Sequence, residues 1–167
     1  MMSWLPPVYR AGVLAAIILL INISAQKNAP VTGRDAPDVP LEILQIFYPS
    51  ASAVSPRSDA RGAHVVTDQN GNALGFFVVT APDSDSIIGY SGPSNTLVAF
   101  GADGRVLGCE LLSSGDTPEH LEQVVSAPRF LGQFEGMAWD EISSLESVDG
   151  VTGATLTSMA IGEGILR

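Results

Sequence analysis

Basic residues are scarce in this chain. Eight Lys and Arg stand against eighteen Asp and Glu over 167 residues, a formal net charge of −10. Lys27 is the only lysine, and the arginines are spread thinly. No basic patch can be assembled from local sequence, which argues against nucleic-acid binding. The same acidity keeps the domain soluble and disfavours docking on anionic lipid. Cysteine is nearly absent too. Cys109 stands alone, so an intrachain disulfide, a Cys-x-x-Cys metal site and an iron–sulfur cluster are all excluded. It lies in the apolar run Val106–Leu112 and reads as a buried small hydrophobe. His64 and His120 are the only histidines, too few for a metal-ligand cluster, and each reads as a solvated loop residue. There is no nucleophile elbow, no Ser-His-Asp spacing, no internal repeat and no low-complexity tract.

The length suits one domain with a real core. Residues 1–25 read as a membrane anchor or signal segment: Arg10 precedes an apolar run from Ala11 to Ile23 that only Asn22 interrupts. That run is short of the roughly 20 residues a membrane span needs. Ile23-Ser24-Ala25 would serve as a cleavage site, whereas Trp4 and Tyr9 would suit the interface of a longer, uncleaved anchor. Either way Arg10 keeps the N-terminus inside and the rest of the chain is exported. Residues 26–60 read as a linker with one short helix, Leu41 to Tyr48, stopped by Pro49, and a second loose stretch from Ser50 to Ser58.

Residues 61–167 form the body. Ala63–Thr67 and Ala73–Thr80 read as strands joined at Gln69-Asn70-Gly71-Asn72, because Asn-Gly accepts positive φ. Thr96–Phe100 and Val106–Ser113 form a second hairpin around Ala102-Asp103-Gly104. Hairpins without interposed helices predict an antiparallel sheet, and hence an α+β fold with helices packed on it. Helical segments follow: Pro118–Val125, opened by Asp116 or Thr117; Arg129–Phe134; Trp139–Leu145; and a last helix from about Thr157 to Leu166. Met159, Ile161, Ile165 and Leu166 are its expected core contacts, and Gly162 and Gly164 weaken it while permitting close packing.

Just before that last helix stands Asp149-Gly150-Val151-Thr152-Gly153-Ala154-Thr155-Leu156-Thr157-Ser158. A phosphate on the Thr155 hydroxyl would sit at a helix N-terminus, where unpaired N–H groups and the positive end of the dipole favour negative charge. Gly153 and Ala154 leave the backbone uncovered for a bulky group. By local pattern alone an ordinary turn, with Thr155 or Thr157 capping the helix, explains the same residues.

The stretch matches Asp-x-x-Ser/Thr-Gly-Ala-Ser/Thr, and in this the chain resembles the FMN-binding domain family. That family includes flavin subunits of the sodium-pumping NADH:quinone reductase and of Rnf-type complexes. It also includes the outer domain of the membrane flavoprotein that supports nitrous-oxide reductase. Five constrained positions would coincide by chance on the order of once per thousand chains of this size. Ile88-Gly89-Tyr90-Ser91-Gly92, Leu97-Val98-Ala99-Phe100, Asp103-Gly104-Arg105-Val106-Leu107-Gly108 and Phe130-Leu131-Gly132-Gln133-Phe134 also fall in the family's order. There is one departure. Where the family often has an acidic residue followed by Thr-Pro-Gly, here Asp116-Thr117-Pro118 is followed by Glu119.

The resemblance implies FMN joined through its phosphate to the hydroxyl at Thr155 by a Mg-dependent flavin transferase. Gly153 and Ala154 would give clearance, and Asp149 and Thr152 would fix the turn and be read by the transferase. Leu156, Thr157 and Ser158 complete the expected set, the two hydroxyls as phosphate contacts. Gly89, Tyr90 and Ser91 would wall the isoalloxazine, with Tyr90 stacking. His120 is a further candidate for a place near the flavin. The expected function is an exported, membrane-associated flavoprotein that relays electrons between membrane or periplasmic partners. The expected location is the cell membrane, single-pass with the domain outside, or the periplasm after signal cleavage. Two other readings stand beside it: a flavodoxin-like carrier of non-covalent FMN, and a cofactor-free exported adaptor.

Overall fold

A computed structural model describes residues 37–56, 58–59 and 61–167. The predicted anchor or signal segment and the first part of the predicted linker lie outside the described residues. The sheet has five antiparallel strands in chain order: β1 (Ala53–Val54), β2 (His64–Thr67), β3 (Ala73–Val79), β4 (Ser94–Gly101) and β5 (Val106–Ser114). Helix α1 (Leu41–Phe47) precedes it, and α2 (Pro118–Val125), α3 (Pro128–Gly132), α4 (Trp139–Ser143) and α5 (Thr155–Leu166) follow. The α+β expectation holds for this region.

The turns follow from their side chains. Asp68 Oδ1 accepts the N–H groups of Asn70 and Asn72, both at 2.8 Å, and Gly71 alone takes a positive φ of +79°. In the β4–β5 hairpin, Asp103 Oδ1 accepts Arg105 N–H at 3.1 Å and Gly104 takes φ of +77°.

Strand β4 is the spine because both of its faces are covered. Leu97 and Ala99 face a core of Leu44, Tyr48, Ala51, Val66 and Phe77 beneath α1. Val98 and Phe100 face the opposite core of Val106, Phe134 and Ile142, with Ile165 and Leu166 of α5 packed against it. A third cluster, Val124, Phe130, Ala154 and Ile161, ties α2 and α3 to α5. Tyr48 locks the first layer: its hydroxyl lies 2.7 Å from Phe76 O and 2.9 Å from Phe100 O and accepts Phe100 N–H at 3.0 Å. Its ring fits only because position 75 lacks a Cβ, which would stand 2.8 Å from Tyr48 Cε1.

Several expectations need correcting. The loose stretch from Ser50 to Ser58 contains β1, held by Ser52 N–H to Thr67 O and Ser55 N–H to Val65 O, both at 2.9 Å. The segment expected as a linker also supplies Leu44, Tyr48 and Ala51 to the core. His64 is not a solvated loop residue: it is buried in β2 and stacked on Phe77, its partner in register. His120 lies on α2 and is half-buried. Cys109 is only half-buried, though burial, aided by the charge of Glu135, pushes its thiol up to about 12. Neither Asp116 nor Thr117 caps α2 through its side chain. Helix α5 begins at Thr155, two residues early, and Met159 is exposed rather than core.

Candidate functional site

The turn before α5 is built by backbone and buried hydroxyl together. Gly153 takes φ of +88°, where a residue with a Cβ is strained. Ala154 is buried, and its N–H reaches Val151 O at 3.0 Å. Ser158, one turn into the helix, accepts Val151 N–H at 2.8 Å and donates to Thr155 O at 3.1 Å. Its hydroxyl is thereby committed to the turn. The Gln133 side chain holds the other end, accepting Asp149 N–H through Oε1 at 2.9 Å.

The first intrahelical bond of α5 is Ser158 N–H to Ala154 O at 2.9 Å. The N–H groups of Thr155, Leu156 and Thr157 come before it and are the donors a helix leaves free at its start. No side chain caps this end, which removes the capping explanation for Thr155 and Thr157. Thr155, Thr152, Gly153 and Asp149 are exposed, as are Leu156 and Met159, at 60% and 54%. Thr157 and Ser158 are fully buried. The helix therefore turns hydroxyls inward and apolar side chains outward around its first turn.

A second segment reaches the same turn through Asp116. Its Oδ1 accepts the N–H of Ser91 at 2.5 Å and of Gly92 at 3.0 Å. Gly89 lies so close that a Cβ there would stand 3.0 Å from the Asp116 carboxyl carbon. Asp116 Oδ2 and Thr157 Oγ1 are both buried without a hydrogen-bond partner. The Thr157 hydroxyl is near enough to the Asp116 carboxyl to favour its charged form. Burial pushes the Asp116 carboxyl up. Thr157 and the N–H groups of Ser91, Gly92 and Tyr90 outweigh it, leaving the group below its ordinary range. Tyr90 itself is exposed and stacks on His120, ring centroids 4.2 Å apart and planes at 26°. Thr117 Oγ1 pairs with His120 Nδ1 at 2.7 Å.

The expected residues thus fall into two sets. Asp149, Thr152, Gly153, Ala154, Thr155, Leu156, Thr157 and Ser158 share one turn and helix start. Gly89, Tyr90 and Ser91 join it through Asp116, a link whose only signal in the sequence was the acidic position before Thr-Pro. Gln133 and Gln123 gave no signal, since their amides act only through the fold; a Cβ on Gly153 would collide with the Gln123 side chain. Among the described residues no group of His, Cys, Asp and Glu could hold a metal ion.

A phosphate group fits this donor set: an exposed hydroxyl, three N–H groups at a helix N-terminus, and a glycine whose missing Cβ keeps the approach narrow but open. Comparison with known proteins identifies the cofactor class. A family model described as FMN-binding domain matches residues 89–167. The G subunit of a proton-translocating ferredoxin:NAD(+) oxidoreductase complex from Clostridium ljungdahlii is 33% identical over 161 residues, spanning 93% of this chain and 80% of the relative. The G subunit of an ion-translocating oxidoreductase complex from Stutzerimonas stutzeri is 31% identical over 91 residues, 49% of this chain and 40% of that one. Its counterpart in Cereibacter sphaeroides is 23% identical over 164 residues, 89% of this chain and 74% of the relative.

Proposed function

The chain belongs to the family of FMN-binding domains, with FMN as its cofactor, and from that premise we propose that it carries the flavin as a phosphoester on Thr155 and relays electrons as part of a membrane oxidoreductase complex. The supporting observation is the exposed Thr155 at the uncapped start of a twelve-residue helix. Thr155 supplies the ester oxygen. The N–H groups of the first turn and the helix dipole balance the remaining phosphodiester charge. When bound, the flavin supplies one- and two-electron redox chemistry, and the protein supplies tethering, orientation and electrostatics.

Covalent attachment suits an acidic domain. Free FMN carries close to two negative charges and a phosphodiester carries one, so the ester retains the flavin without an arginine clamp. A dedicated flavin transferase is the maturation partner in this reading. The 1–25 segment anchors the chain and the domain faces the extracytoplasmic side, or the periplasm if that segment is cleaved. A flavodoxin-like site is disfavoured by topology. Such loops follow the first strand of a βαβ unit, whereas every strand pairing in the sheet is antiparallel.

The test is a denaturing gel of full-length protein co-expressed with a flavin transferase and viewed under ultraviolet light. A fluorescent band is expected in the parent and in Cys109→Ala and absent in Thr155→Val. A band that persists in Thr155→Val, or a parent whose intact mass is that of bare polypeptide, overturns the assignment.

A further inference from the structure

Asp116 sits between two segments that are far apart in the chain, the Gly89–Gly92 loop and the start of α5. Oδ1 is saturated by the N–H groups of Ser91 and Gly92, at 2.5 and 3.0 Å. Oδ2 is buried against Gly89, and the buried Thr157 hydroxyl is near enough to the carboxylate to stabilise its charge, although neither atom completes a hydrogen bond. Two buried polar atoms without a completed hydrogen bond are costly in a native interior unless they serve a purpose. The surroundings leave Asp116 little freedom. A Cβ on Gly92 would stand 2.8 Å from Gly115 Cα, and one on Gly89 would press on the carboxylate itself. Asp116 N–H is held by Ser114 Oγ at 3.1 Å, and that hydroxyl pairs with Ser94 Oγ at 2.8 Å. The loop so gripped carries Tyr90, one face of which is covered by His120. Thr157 stands two residues after Thr155 on the same helical turn.

We propose that Asp116 is a positioning residue: its carboxylate bridges the Gly89–Gly92 loop to the first turn of α5 and so fixes the Tyr90 ring relative to the group carried on Thr155. The proposal rests on the reading of Thr155 as the flavin attachment point for its functional half. The bridge itself depends only on this chain. The backbone N–H groups of Ser91 and Gly92 form a small anion nest around Oδ1. Among the described residues no ion pair to a cation competes with that arrangement. The carboxylate is thus oriented by the loop, with the Thr157 hydroxyl of the helix beside it.

Two measurements on the full chain separate the halves. In flavin-free protein, amide hydrogen exchange at Ser91 and Gly92 is expected to speed up at least ten-fold in Asp116→Ala. Protection unchanged in that variant would overturn the bridge. In protein matured with a flavin transferase, Asp116→Ala and Thr157→Val are compared with the parent per mole of covalently bound flavin. Their visible-region circular dichroism should fall by half or more towards that of the unfolded flavoprotein, and Thr157→Ser should restore it. If Asp116→Ala does not fold, Asp116→Asn and Thr157→Val decide, since both keep the side-chain volume. Visible dichroism at parental strength in folded Thr157→Val would sink the positioning role. A parent without covalent flavin would instead overturn the attachment reading, and the exchange experiment would still decide the bridge.

Discussion

Gly153 and Gln123 meet at the turn before α5, and two effects there can be separated by size. An alanine at 153 must adopt φ of +88°, which costs a residue with a Cβ about 1–2 kcal/mol. Its Cβ would also strike the Gln123 amide, but that is the far end of a flexible, exposed side chain and can swing away. Backbone strain therefore dominates. Gly153→Ala should lower unfolding stability by about 1–2 kcal/mol in urea titration, Gly153→Asn should lose less, and Gln123→Ala should not rescue the alanine variant. Tyr48 makes a pH prediction of definite sign. Burial, only partly offset by the Phe100 hydrogen bond, pushes its hydroxyl far above the ordinary 10. The folded state keeps a proton that the unfolded chain releases, so stability present below pH 10 is lost as pH rises beyond it. Thermal melts between pH 9 and 11 should show the loss, and Tyr48→Phe should flatten this component while costing about 1–3 kcal/mol at neutral pH through the unpaired Phe100 N–H. At this scale the sequence was legible where the residue type is itself the mechanism, as with the positive φ of Gly71 after Asn70. It was silent where an ordinary residue acts through a distant partner. Tyr48 and Gln133 do so, and no local pattern marks a hydroxyl that reaches from residue 48 to residue 100.

Helix α5 inverts the usual rule for a packed helix, and this decides what can be read at the scale of elements. Its buried side holds Thr157, Ser158, Ala160, Ile161, Gly162 and Gly164, while Leu156 and Met159 face out. Hydrophobicity alone assigned Met159 to the core. The helix instead packs through small residues, because close approach to its neighbours leaves no room for large ones. Gly162 is the sharpest case: a Cβ there would fall on Val148, with Val148 Cβ at 3.1 Å. Alanine gains about 1 kcal/mol of helix propensity over glycine. Overpacking costs about 1–3 kcal/mol, and Val148 sits in a core cluster that cannot shift freely. The clash should win. Gly162→Ala is expected to destabilise in parental protein and to cost at least 1 kcal/mol less, roughly, in a Val148→Ala background, a coupling that a double-mutant cycle by urea denaturation measures. The hairpins were legible because Asn70-Gly71 and Asp103-Gly104 carry their turn chemistry locally. Strand β1 was not, because two residues show no alternation and only their pairing with β2 makes them a strand. The last helix was read two residues short because its start is set by the Gly153 turn and the Ser158 hydroxyl rather than by a capping side chain.

For the whole molecule, the largest consequence concerns where the folding unit begins. Composition placed residues 26–60 in a linker, since proline, alanine and polar residues dominate its early part. In the structure Leu44 is fully buried against the sheet, Tyr48 and Ala51 are nearly so, and Phe47 covers the space a Cβ on Gly108 would need. Removing a single buried leucine side chain costs about 2–5 kcal/mol. Deleting α1 and β1 strips several such groups from one face of the sheet and leaves the second strand as an exposed edge. A domain's entire margin is about 5–15 kcal/mol. The loss therefore exceeds or consumes it. A fragment of residues 37–167 should melt in one cooperative transition by circular dichroism, whereas residues 61–167 should show no cooperative transition and should bind a dye for exposed apolar surface. A cooperative melt of the shorter fragment would mean that the first layer only decorates the sheet. The matched family region, residues 89–167, is shorter still and lacks β2 and β3 as well. By the same reasoning the turn before α5 does not fold from its own segment. It is held by a sheet whose other face is closed by α1, so variants such as Leu44→Ala are expected to lower the yield of flavin-bearing protein through stability without touching the site.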